Sequence, residues 1–227
     1  MNERESLPSE IALPSGKVAG AALVLASLIA TVAVAHHPSV SRAHDAADVL
    51  AKILAVRAAD QAVHAAAIAA VIGLLFGFVV FVLRRGLRDS TALAALVSYS
   101  IGTVAVVGAG SIDGFIIPAL AARYAAASHG EIAVALQLIT VCAIAVQTLT
   151  KIWLVATSVA VIVWSARIVR GTRTLRAVAL LGFVSSMLVI AGTVLVANFN
   201  PHSLGLIVLV QTLWSIAIGV LMIREEL

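Results

Sequence analysis

The residues of this chain best suited to chemistry are its six histidines, His36, His37, His44, His64, His129 and His202. A neutral imidazole is the commonest side-chain metal ligand and also an axial ligand of haem. Asp60 and His64 stand four positions apart, which on a helix puts them on one face, where the carboxylate can share a ligand with the imidazole or orient its ring. The first candidate site therefore consists of His64, His202, His36 or His37, and Asp60. A second site, or an outer shell to the first, would use His44 with Asp48, and His129 with Glu131. Nitrogen and oxygen donors without thiolate suit copper, zinc, iron or manganese, and two imidazoles can also hold haem. The plain alternative is that these are amphipathic side chains at a wet membrane boundary.

The single cysteine, Cys142, excludes an intramolecular disulfide and a Cys-based zinc site, and reads as a small core hydrophobe. Asp113 and Lys151 form a candidate intramembrane charge pair, because opposite charges at one depth lower each other's desolvation cost; Lys151 snorkelling outward is the simpler account. Ser111, Asp113 and a histidine would make a hydrolase-like set only after folding. The sequence has no H-E-x-x-H, no G-x-S-x-G, no phosphate loop and no dinucleotide fingerprint, so it leaves open whether the chain is an enzyme.

The elements that must position these groups are transmembrane helices. With 62% hydrophobic residues, 11% charged residues and a mean hydropathy of +1.10, the chain lies far from soluble domains, which carry about 25% charged residues. Stretches of the roughly 20 apolar residues a bilayer requires predict an all-α polytopic bundle of about six spans, near 18–38, 63–84, 91–117, 145–167, 174–197 and 203–223. If the N-terminus is inside, the inner segments hold ten of the fifteen Lys and Arg, including Arg84, Arg85, Arg88, Arg167, Arg170, Arg173 and Arg176. The positive-inside rule then predicts a multi-pass protein of the cell membrane, as in a bacterial inner membrane, with both termini cytoplasmic. In that topology every histidine falls on the outer side. The A-x-A pattern at Ala33-Val34-Ala35 imitates a signal-peptide cleavage site, but the acidic Glu3, Glu5 and Glu10 before it favour an uncleaved first span.

Two helical stretches are longer than a membrane. Residues 42–62 read as an amphipathic helix, either lying on the outer leaflet or extending span two outward; residues 124–146 read as an outer extension of span four. Residues 198–203 break the helix between the last two spans. Gly73–Gly77 and Gly110–Gly114 are small-x-x-x-small patterns that let backbones approach, and Gly108, Gly110, Gly114 and Pro118 predict a bend at the end of span three.

Three functions fit. One is a membrane protein with a His/Asp site at the outer boundary that binds a transition metal (Cu, Zn or Fe) or haem. A second is a small permease or channel using Asp113, Lys151, Gln137 and Gln147 as path-lining groups. The third is a structural accessory subunit whose glycine faces dock a homo-oligomer or a larger membrane complex. The lipid bilayer is the expected partner in all three, and the short Arg clusters, explained by topology, give no support for nucleic-acid binding.

Overall fold

The computed structural model describes residues 14–38, 44–85, 90–195 and 201–227, with Arg85 and 201–203 described by backbone alone. The described residues are helical, without strands: α1 (Gly16–Ala35), α2 (Ala46–Arg85), α3 (Ser90–Ser111), a π-helical turn (Ile112–Ile116), α4 (Ile117–Arg123), α5 (His129–Ile168), α6 (Arg173–Leu195) and α7 (Pro201–Ile223). Six helical stretches are long and apolar enough to cross a membrane, with α3, the π turn and α4 counting as one.

The packing order closes on itself. Helix α1 packs on α2, α2 on α3, α3 on α5, α5 on α6, α6 on α7, and α7 back on α1. Small residues make the contacts close: a Cβ on Gly77 would stand 2.5 Å from Leu23 Cγ of α1, and one on Gly102 would stand 2.8 Å from Thr157 Cγ2 of α5. Hydroxyls and an amide add directional ties between helices. Ser98 Oγ donates to the Ala156 carbonyl at 2.8 Å, and Gln211 Nε2 donates to Ser158 Oγ at 3.0 Å.

Within the ring, Phe78, Trp164 and Trp214, each at most 1% exposed, stack almost parallel, and Tyr99 leans on Phe78 and Trp164. Such rings bury a large apolar area with few rotamers, so this aromatic layer is the rigid centre of the bundle.

The two 40-residue helices α2 and α5 are each about 60 Å long, twice the thickness of a hydrocarbon core. The amphipathic stretch of α2 continues the helix without a break. Its apolar face does not go bare: Leu50 and Ile53 pack with Ile117 and Ala121 of α4 and Ile132 of α5 in a second, smaller core. Both long helices start on side-chain caps. Asp45 accepts from the Asp48 amide and Asp48 from the His44 amide, while Ser128 and Glu131 form a capping box on α5.

Candidate metal centre

Proline has no amide hydrogen, and its ring crowds the carbonyl four residues back. Pro118 sits just past the glycine-rich end of α3, and there the helix widens into a π turn in which the Ile117 amide reaches the Ile112 carbonyl. Asp113 and Gly114 lie in that turn. Gly114 meets α2 so closely that a Cβ on it would stand 2.5 Å from both Cβ and Cγ of His64. The missing side chain thus lets the His64 ring, 7% exposed, lie against the π turn.

Two histidines and two carboxylates converge at this place. His64 Nε2 is 3.4 Å from Asp113 Oδ2, and His64 Nδ1 is 3.2 Å from Asp60 Oδ1. His37, just beyond the end of α1, brings its Nε2 to 3.6 Å from Asp113 Oδ2 and 3.8 Å from Asp60 Oδ1. The two imidazoles meet edge to face, with centroids 5.0 Å apart and planes at 80°. Ligand atoms of His37, Asp60 and His64 all lie within 4.8 Å of one another, an arrangement that can hold a metal ion.

The hydrogen bonds fix which nitrogen is free. A carbonyl can only accept, so His64 Nδ1, 2.9 Å from the Asp60 carbonyl, donates to it, and His37 Nδ1 donates to the Pro38 carbonyl at 2.9 Å. Each ring is therefore held by its Nδ1–H and turns its Nε2 toward Asp113. In a neutral ring that nitrogen carries a lone pair, and a lone pair facing a carboxylate oxygen is repulsive unless a cation or a proton lies between them. Two imidazoles and two carboxylates are balanced in charge either by two protons or by one divalent ion.

Searches for a similar family model, curated protein or solved structure give no match to this chain.

Among the other histidines, His36 is exposed and its Nδ1 donates back to the Val32 carbonyl at 2.9 Å, closing the end of α1. His202 lies in the first turn of α7, and its side chain is outside the described residues. Around His44, Asp48 accepts the His44 amide and pairs with Lys52 at 2.8 Å, while Glu131 accepts from Ser128; these carboxylates serve helix starts. His129 is exposed at the first position of α5. Lys151 is half-buried on α5, and Ser111 donates its hydroxyl to the Val107 carbonyl of its own helix at 2.7 Å.

Sequence reasoning put Asp113 at the level of the histidines, as half of a charge pair with Lys151 and not as a ligand. The available signal was the pair Gly110 and Gly114 around it: both approach the His64 ring, so the small-residue face of span three is the face that meets α2 at His64. Gly114→Ala is accordingly expected to push the π turn away from α2 and weaken any ion held by His64 and Asp113 by about 10- to 100-fold, the range found when groups that orient ligands are lost. Titration of the purified variant with Zn(II) by calorimetry checks this; an unchanged affinity would show that the close approach is not needed.

Proposed function

We propose that this chain is a multi-pass membrane protein with cytoplasmic termini, carrying a divalent transition-metal centre at its extracytoplasmic end. His37, His64 and Asp113 supply the ligands, and Asp60 orients His64 through its Nδ1–H. The observation that carries this reading is the pair of Nε2 atoms facing Asp113 while both Nδ1–H groups are used elsewhere.

The two separations from Asp113 fit an ion of zinc size. Atoms bound at 2.0–2.1 Å in a tetrahedron lie about 3.3 Å from one another, close to the 3.4 and 3.6 Å separations from Asp113 to the two histidines. Two imidazoles and one carboxylate leave coordination positions open, as in catalytic zinc and non-haem iron sites. The edge-to-face contact of the rings favours a bare ion over haem, since no macrocycle fits between imidazoles packed against each other. The extracytoplasmic side is supported by the Arg-rich segments at the opposite ends of the spans.

The second reading places protons where the ion would be, giving imidazolium–carboxylate pairs in a permeation path. The aromatic layer of Phe78, Tyr99, Trp164 and Trp214 favours a site over a path, because it fills the bundle further inward, beyond Leu74 and Val161.

The test is elemental analysis of the protein purified in detergent without a polyhistidine tag, repeated after chelation and reloading with Zn(II). One ion per chain is expected for the parent and for His36→Ala and His129→Ala, with strong loss in His37→Ala. Absence of stoichiometric Zn(II), Cu(II) or Fe(II) in the reloaded parent would sink the reading.

A further inference from the structure

Directly beneath the His/Asp cluster lies a cavity of about 160 Å³. It runs inward between α1, α2, α3, α5 and α7, from His37, His64 and Asp113 at one end to Tyr99 and Ser215 at the other. Its walls are largely aliphatic, from residues such as Ala33, Val107 and Val208, with Trp153 along one side and the polar Thr150, Thr157 and Gln211 among them. A space of about 150 Å³ takes up a molecule the size of benzene.

The position of this space relative to the cluster is what gives it meaning. His37, His64 and Asp113 all line it, so the same side chains that would hold the ion also form the polar end of an apolar chamber. An ion with three protein ligands keeps a position open for an exogenous ligand. Here the molecule that filled it would have its remainder among aliphatic side chains.

Resting on the metal-centre reading, we propose that the cavity binds a small lipophilic molecule with a single Lewis-basic head group. The head completes the coordination of the ion, and an apolar body of about one ring fills the chamber below. The ligand-bearing cluster at one end and the largely aliphatic walls set the orientation. A body without a donor loses the metal bond, and a donor without a body leaves the aliphatic walls uncovered.

Co(II), whose visible spectrum reports its ligands, allows both halves to be read. The Co(II)-loaded protein is titrated with 4-phenylimidazole and, separately, with imidazole. The phenyl ring is expected to tighten binding by about tenfold or more, the effect of burying an apolar group of that size. Val208→Phe, on α7 away from the ligands, is expected to remove that advantage while leaving the Co(II) spectrum unchanged; Ala33→Leu on α1 serves the same purpose if the first variant does not fold. Equal affinities for the two imidazoles, or a phenyl advantage that survives both fillings, would overturn this proposal and leave the metal centre intact. Failure to take up Co(II) at all would overturn both.

Discussion

His64→Ala is expected to lower Zn(II) affinity by more than about 100-fold, beyond the usual effect of losing a group that only orients a ligand. His64 is the pivot of the cluster. It alone uses both ring nitrogens within it, one toward Asp60 at 3.2 Å and one toward Asp113 at 3.4 Å. Its replacement also removes the positive partner or ion from two carboxylates brought together by α2 and the π turn, and uncompensated charges of this kind are costly in a low-dielectric site. The thermal midpoint of the metal-free variant should therefore fall relative to the metal-free parent. Calorimetric titration together with thermal unfolding by circular dichroism reads both effects. A His64→Ala protein that retains parental affinity would show that the ion is held elsewhere.

Gly20→Leu is expected to be the most destabilising change away from the cluster. A Cβ on Gly20 would stand 2.5 Å from the Gly219 carbonyl oxygen and 3.0 Å from the Ile223 amide nitrogen, and a Cβ on Gly219 would stand 2.7 Å from the Gly20 carbonyl oxygen. The obstacles on both sides include main-chain atoms of helices, which cannot rotate away as a side chain would. Relief requires α1 and α7 to separate, and this is the contact that closes the ring of helices. Overpacking of this kind costs about 1–3 kcal/mol, which for a chain of this size is a fall in midpoint of roughly 2–12 °C. Gly130→Ala is the control, since nothing lies within 4 Å of a Cβ there. Equal midpoints for Gly20→Leu and the parent in detergent would refute the close approach.

Much of the architecture was legible in the long apolar runs. A helix that must satisfy its own backbone in lipid needs a long apolar run, and such runs can be counted. The glycine pair at 73 and 77 announced a close contact, and the contact with α1 is there, Gly77 lying against Leu23 and Gly73 against Ala26. Gly16 and Gly20 carry the same spacing, but it did not name Gly219 as the partner, because their meeting depends on two helices from opposite ends of the chain.

The candidate site was legible only in part. Asp60 and His64 lie one turn apart on one helix, so their proximity follows from local geometry alone. Between His36 and His37 the sequence could not choose, because the choice depends on where α1 ends. His36 is taken up in closing that end, and His37, beyond it, reaches the cluster. Depth along a span also says nothing of which way the Asp113 side chain turns. The π turn at Pro118 and the gap left by Gly114 bring Asp113 to the imidazoles.

The sequence by itself determined the number of apolar helices, their approximate limits and the chemical types available at one end of them, since these depend on composition and on spacing along a single helix. The tertiary structure decided the closed order of the helices, the choice of His37 and Asp113, and the cavity under them. Those features arise from contacts between residues far apart in the chain, and their rotational setting is fixed by how small residues let one backbone approach another.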